Sequence, residues 1–88
     1  MSEWSEVPSG WALQNNALSR DFLFDDFVGA FGFMAQVALL AEQADHHPNW
    51  SNVYNRVSIA LTTHDAGQRV TQKDVALATA INTLMPID

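Results

Sequence analysis

The sequence predicts an α+β domain in which helices pack on one face of a small antiparallel sheet. Three observations support this prediction. The chain has 88 residues, which favours a single domain over residues 1–88. Its apolar residues alternate in some segments and repeat at three- and four-residue steps in others, and these are the periods of strands and helices. The segments follow one another as strand, strand, helix, strand and helix, an order typical of α+β domains.

The first two elements are predicted to be short strands, over roughly residues 11–14 and 17–24. Asn15 and Asn16 lie between them, and asparagine favours tight turns because it tolerates left-handed backbone. A carboxylate at Asp25 or Asp26 is expected to cap the helix that follows, since it can accept hydrogen bonds from the free N–H groups of a first helical turn.

The first helix is predicted over about residues 27–43. Its apolar stripe is expected to face the core and consists of Phe27, Phe31, Met34, Val37, Ala38 and Ala41. Gly29 and Gly32 interrupt the pattern, and we expect them to let another backbone approach closely. Because polar side chains also occur in this segment, it is interpreted as a buried helix rather than a membrane span.

The second half of the chain is predicted to hold a loop, one long strand and a final helix. The loop is D-H-H-P-N-W at residues 45–50, and the strand runs over residues 51–65 with His64 at its more polar end. The segment A-G-Q-R-V then turns the chain, with room for a short strand. Thr71 and Asp74 resemble a capping box, which starts a helix over about residues 72–84.

Composition excludes some functions. The formal net charge is −6, and the four basic side chains form no run, so direct binding to nucleic acid is not expected. The chain has no cysteine, which excludes disulfides, thiolate metal sites and thiol nucleophiles. With no basic and apolar leader at the N-terminus, this composition favours the cytoplasm. A chain this short has a thin core, for which oligomerisation is a common remedy.

The three histidines are the candidate functional residues, and the residues alone leave four interpretations open. They could bind a metal, although side chains of adjacent residues diverge and do not easily share one tetrahedral ion. A nucleophilic triad is poorly supported, because no Gly-x-Ser-x-Gly motif is present. Imidazoles also suit general acid and base catalysis near neutral pH. Finally, the histidines could be ordinary surface or capping residues.

Four short motifs follow one another between residues 24 and 74. They are F-G-F-M at 31–34, A-E-Q-A-D-H-H-P-N-W at 41–50, N-V-Y-N-R-V at 52–57 and T-H-D-A-G at 63–67. In this order and spacing they resemble the pterin-4a-carbinolamine dehydratase family. The resemblance covers more than half of the chain, and such a composite is more specific than any one short motif.

The resemblance implies a fold with helices on one side of a four-stranded antiparallel sheet. It implies a lyase that removes water from 4a-hydroxytetrahydropterin to give quinonoid dihydropterin, in the recycling of tetrahydrobiopterin. It implies homodimers or homotetramers, and no metal or other cofactor. Carried onto this sequence, the implied catalytic residues are His46, His47 and His64. The implied substrate-binding residues are Glu42, Pro48, Trp50 and Asp65.

The alternative is a binding protein, because some family members also act as a dimerisation cofactor of a homeodomain transcription factor or as assembly factors. Two departures from the family pattern are expected. An N-terminal helix before Trp11 should be short or missing, because Pro8 and Gly10 lie in that segment. The turn after His64 should be about one residue longer than in many relatives.

Overall fold

The structure is a computed structural model that describes residues 6–85. It has one four-stranded antiparallel sheet in the order β1-β2-β4-β3. Its elements are β1 (Ala12–Gln14), β2 (Ala17–Leu23), α1 (Phe27–Ala44), β3 (Asn49–Val53), β4 (Arg56–Leu61) and α2 (Gln72–Asn82). The predicted α+β class is confirmed. Residues 6–10 form no helix, while the rest of the N-terminal segment lies outside the described residues.

The core lies between the two helices and one face of the sheet. Alternate residues of β4 point into it, because side chains of a strand alternate between faces. Val57, Ile59 and Leu61 are buried there, with Leu18 and Phe22 of the neighbouring β2. Each fully buried side chain of this size contributes about 1.5–3 kcal/mol relative to exposure. The connections between the elements lie at the edges and ends of the sheet, outside this core.

The predicted turn and cap before α1 are confirmed. Asn15 and Asn16 have φ angles of 52° and 63°, as a two-residue hairpin turn with left-handed backbone requires. Asp26 is the N-cap of α1, and its carboxylate accepts a 2.8 Å hydrogen bond from the Gly29 N–H. The first half of the fold therefore follows from local sequence signals.

The prediction of one long strand is wrong, because the chain reverses within it. β3 and β4 form a hairpin whose turn is Tyr54 and Asn55, and β3 begins inside the predicted loop. Tyr54 has a φ of 49°. The Asn52 side-chain amide donates to the carbonyls of Tyr54 and Arg56 at 3.2 and 2.8 Å, which holds the turn. The turn has neither glycine nor proline, the usual markers of such reversals.

The predicted inner face of α1 is also wrong in part. The buried positions are Ala30, Phe33, Val37 and Ala41. By contrast, Phe27 and Phe31 are 48% and 60% exposed. Because this helix is apolar almost all round, its periodicity does not select one face. By length and composition alone, at mean hydropathy 1.3, it would also pass as a membrane span, yet its buried face is part of the core.

The expected role of the glycines in α1 is not observed. A Cβ at Gly32 would meet no atom within 4 Å, and one at Gly29 would lie 3.4 Å from the Asp26 carboxylate. Within residues 6–85, no other backbone therefore approaches the helix at these two positions.

The connection between β4 and α2 differs from the predicted strand end. β4 ends at Leu61, and His64 begins a short 3₁₀ turn (His64–Ala66). The following segment contributes a single bridge between Thr63 and Arg69 instead of a strand. The predicted capping box of Thr71 and Asp74 is confirmed at the start of α2.

Candidate active site

The end of α1 fixes the direction of the two adjacent histidines. Asp45 follows the helix in left-handed backbone, with a φ of 52°. Its N–H donates to the Glu42 carbonyl at 3.2 Å, and the His46 N–H donates to the Ala41 carbonyl at 3.0 Å. These two bonds form a Schellman motif, which satisfies carbonyls at the helix end. The chain therefore leaves α1 sharply, and both histidines follow the turn at once.

His46 is bound to a buried carboxylate. Its Nε2 lies 2.6 Å from Asp74 Oδ1, and the exposed side-chain fractions are 11% for His46 and 0% for Asp74. Because a carboxylate only accepts, Nε2 must carry the hydrogen, which fixes the tautomer of a neutral His46 ring. Asp74 therefore orients His46 from the first turn of α2.

The second oxygen of Asp74 completes a buried network. Asp74 Oδ2 accepts from Thr63 Oγ1 at 2.7 Å and from the Thr71 N–H at 2.9 Å. Thr71 Oγ1 lies 2.7 Å from Thr63 Oγ1 and donates to it, because the Thr63 hydrogen is directed at the carboxylate. A buried carboxylate needs such partners. Among residues 6–85, no buried side-chain nitrogen or oxygen lacks a hydrogen-bond partner.

His47 lies in a different environment. Its Nε2 is 2.9 Å from Glu42 Oε1, and the exposed side-chain fractions are 59% and 81%. Exposed pairs of this kind contribute little to stability because water screens both charges. His47 is therefore accessible from solvent.

His64 enters the site from the 3₁₀ turn. Its Nδ1 lies 3.4 Å from the side-chain Nε2 of Gln68, a long and therefore weak hydrogen bond. The turn itself is fixed by backbone bonds, since the Thr63 N–H donates to the Arg69 carbonyl at 2.9 Å and the Gln68 N–H to the Thr63 carbonyl at 3.0 Å. The backbone at His64 is held while its ring is weakly restrained.

The three histidines meet in one cleft with a volume of about 280 Å³. The cleft is lined by Asp45, His46, His47, Thr62, Thr63, His64, Asp65 and Lys73. It brings together four of the predicted site residues, the three histidines and Asp65. Glu42 does not line the cleft, but its carboxylate contacts His47, which does. Pro48 does not line it, and Trp50 lines a separate shallow depression on the sheet.

Asp74 and Thr63 are the site residues that the sequence interpretation missed. The motif from Thr71 to Asp74 pointed to Asp74 as a helix cap, and a cap uses one carboxylate oxygen. That the other oxygen accepts from a histidine 28 positions earlier in the chain follows from tertiary packing. No local signal marks that contact.

The cleft gathers side chains that are chemically able to transfer protons. Imidazoles can donate and accept protons near neutral pH, and one of the three is oriented by a carboxylate. Within residues 6–85 no group of three or more histidine, aspartate or glutamate side chains is arranged to hold a metal ion. The class defined by the fold and the site is a small α+β protein whose three histidines line one cleft.

Comparison with known proteins gives the particular family. Residues 2–84 match the family described as "Pterin 4 alpha carbinolamine dehydratase". The chain belongs to this family, as its motifs predicted.

Individual relatives agree with this assignment. A "putative pterin-4-alpha-carbinolamine dehydratase" of Prochlorococcus marinus is 46% identical over 85 residues, covering 97% of this chain and 88% of that protein. One of the same description from Rhizorhabdus wittichii is 61% identical over 69 residues, covering 78% and 70%. The crystal structure of a "transcriptional coactivator/pterin dehydratase" from Brucella melitensis superposes with a TM-score of 0.83 at 46% identity, covering 89% of this chain and 84% of that one.

Proposed function

We propose that the chain is a lyase that dehydrates 4a-hydroxytetrahydropterin to quinonoid dihydropterin. The observation that supports it is the meeting of His46, His47 and His64 in one cleft. Dehydration breaks the C4a–O bond, and the hydroxyl leaves as water with a proton from a general acid. A general base takes the proton from N5, and the electron pair of that N–H bond forms the C4a=N5 double bond. Both proton transfers suit imidazole.

The two adjacent histidines are proposed to divide the work by their exposure. The Nε2 atom of His46 lies 2.6 Å from Asp74, and this contact fixes the orientation of the ring and of its two nitrogens. His47 is 59% exposed, so it can exchange its proton with water between turnovers. The proposal therefore assigns the two proton transfers to the three histidines as a set.

The test is the decay of 4a-hydroxytetrahydropterin, followed by stopped-flow absorbance with and without the protein. We expect clear acceleration by the wild type and a loss of about 100-fold or more in His47→Ala, the usual size of an acid–base contribution. Gln36→Ala is the control, because Gln36 is exposed on α1 and lines a groove that contains none of the histidines. No acceleration by a folded wild-type protein would contradict the proposal.

We also propose that the chain works as a homo-oligomer in the cytoplasm. The support for self-association is the outer face of α1, where Phe27, Phe31 and Leu39 are 48%, 60% and 72% exposed. Apolar side chains in such a row mark protein interfaces. Phe31→Glu should lower the molar mass measured by light scattering, whereas an unchanged mass would contradict a role for this face.

The second candidate function is a protein-binding or assembly factor that uses the same fold without catalysis. The same outer face of α1 favours it, and the relative from Brucella melitensis is named as a coactivator as well as a dehydratase. The two functions separate experimentally, because Phe31→Glu would abolish partner binding while His47→Ala would not. A wild type inactive on the pterin but able to bind a partner protein would favour this second function.

A further inference from the structure

Gln68 lies in a backbone conformation that favours glycine, directly after a glycine. Its φ is 60°, and Gly67 before it has a φ of 83°. The turn imposes this conformation, because the Gln68 N–H donates to the Thr63 carbonyl at 3.0 Å and the Thr63 N–H donates to the Arg69 carbonyl at 2.9 Å. Left-handed backbone is uncommon for residues other than glycine, so a second glycine would satisfy this turn with less strain. The presence of a glutamine therefore needs another explanation.

The side chain of Gln68 has one hydrogen-bond partner within residues 6–85, and that partner is His64. Its amide Nε2 lies 3.4 Å from His64 Nδ1. Gln68 is exposed, so packing in the core does not account for its side chain. Hydrogen bonds of catalytic groups are often long until a substrate occupies the site, and then they shorten. A contact of this length therefore suits a side chain that acts on a histidine of the cleft.

The direction of this hydrogen bond selects one tautomer of His64. An amide nitrogen only donates, so Nδ1 must accept, and the hydrogen of the neutral ring is then on Nε2. In a histidine, the partner of one ring nitrogen sets which of the two carries the hydrogen. Within residues 6–85 the Nε2 atom of His64 makes no hydrogen bond. Its N–H is therefore available to a ligand.

His46 shows the opposite arrangement. Its Nε2 carries the hydrogen because Asp74 accepts from it at 2.6 Å, so the other nitrogen of the neutral ring, Nδ1, is an acceptor. The cleft therefore holds one ring whose free nitrogen accepts and another whose free nitrogen donates. An elimination of water needs both kinds of group, one at the N–H hydrogen and one at the departing oxygen.

We infer that Gln68 is a positioning residue that holds His64 as its Nε2–H tautomer, so that this N–H donates a hydrogen bond to the 4a-hydroxyl oxygen of the pterin. The hydrogen bond transfers no atom. It stabilises the charge that develops on the oxygen as the C4a–O bond breaks, as donors that are oriented before the reaction do. The identity of the ligand rests on the proposed function, whereas the tautomer rests on Gln68 and His64 alone.

The tautomer is tested by nitrogen NMR of the protein labelled with isotope-enriched histidine, without substrate. At about pH 9 an imidazole is ordinarily neutral, and the nitrogen shifts of a ring distinguish the atom that carries the hydrogen from the one that does not. The His64 signals are assigned by their loss in His64→Gln. We expect Nε2–H in the wild type. Gln68→Glu should shift the population toward Nδ1–H, because a carboxylate of the same size only accepts.

The matched control is Gln36→Glu. It adds the same charge at an exposed position of α1, in a groove that contains none of the histidines. Its His64 signals should match those of the wild type. A wild type in the Nδ1–H form, or the same tautomer in the wild type and in Gln68→Glu, would overturn the inference.

The effect on the reaction is tested by the kinetics of two variants of Gln68. Gln68→Glu should lower kcat about tenfold or more and change KM less than about twofold, because the lost donor acts mainly in the transition state. Gln68→Gly should not lower Tm, since glycine suits left-handed backbone. It should nevertheless lower kcat about threefold, because the His64 ring is no longer oriented. An unchanged kcat in both variants would overturn the role of Gln68.

The outcomes separate the inference from the proposed function. A wild type without dehydratase activity would contradict the proposed function, and the NMR comparison would then decide the tautomer by itself. An active wild type whose His64 tautomer does not respond to Gln68→Glu would contradict the inference and leave the proposed function in place.

Discussion

His46 and His47 are adjacent in sequence, yet they belong to two regions of different character. Both rings face a carboxylate, at 2.6 Å from Asp74 and 2.9 Å from Glu42. The His46 pair is buried within a network that also holds the start of α2, whereas the His47 pair is exposed on the surface. A histidine–carboxylate distance therefore says little by itself. What surrounds the pair decides whether it holds the structure together or remains available for chemistry.

The largest effect is expected from Asp74→Ala. The change leaves His46, Thr63 and the Thr71 N–H without their common acceptor in a buried place. Unfolding in urea should show a loss of about 3 kcal/mol in the free energy of unfolding. The matched control is Asp21→Ala, because Asp21 is an exposed aspartate on the sheet. This variant should change the free energy of unfolding by less than about 0.5 kcal/mol. Equal effects of the two variants would show that the buried network contributes no special stability.

The comparison of the histidines themselves should give a smaller difference. His46→Ala leaves one oxygen of a buried carboxylate unpaired, which is expected to lower the free energy of unfolding by about 2 kcal/mol. His47→Ala removes an exposed pair and should change the free energy of unfolding by less than about 0.5 kcal/mol. Both are measured under the same denaturant conditions. If the order were reversed, the assignment of a structural role to His46 and an exposed role to His47 would be wrong.

The smallest effect is expected from Glu42→Gln. The amide keeps the size of the side chain and can still hydrogen-bond to His47, while its charge is lost. We expect no measurable change in Tm and a fall of about two- to fivefold in the rate of pterin dehydration, the scale of an exposed ion pair. The control is Gln43→Ala, the exposed neighbour on α1. A loss as large as that of His47→Ala would place Glu42 in the proton-transfer machinery itself.

Local features of this chain were predictable because their causes lie within a few residues. The Asn15–Asn16 turn, the Asp26 cap and the Thr71–Asp74 capping box all depend on side chains that bond to nearby backbone. The motifs also identified the family. The three histidines and Asp65 were expected to act together, and the structure gathers them in one cleft.

Other features could not be predicted because their causes lie far apart in the chain. The reversal at Tyr54 and Asn55 is fixed partly by the hydrogen bond from the Asn55 side chain to the carbonyl of Phe24, 31 positions earlier in the chain. The buried face of α1 depends on which side meets the sheet, since Phe27 and Phe33 are equally apolar in sequence. The contact between Asp74 and His46 likewise forms only after α1, β4 and α2 have packed together.

The hydrogen bond from the Thr71 N–H to Asp74 has a consequence for how long the site persists. The same carboxylate closes the first turn of α2 and orients His46. Any local opening of that turn must therefore release the His46 ring from its oriented position while the sheet remains folded. The exchange rate of one amide hydrogen, that of Thr71, then reports the fraction of time in which the protein is folded but His46 is not oriented by Asp74. A ligand that binds the assembled cleft should slow that exchange in proportion to its occupancy.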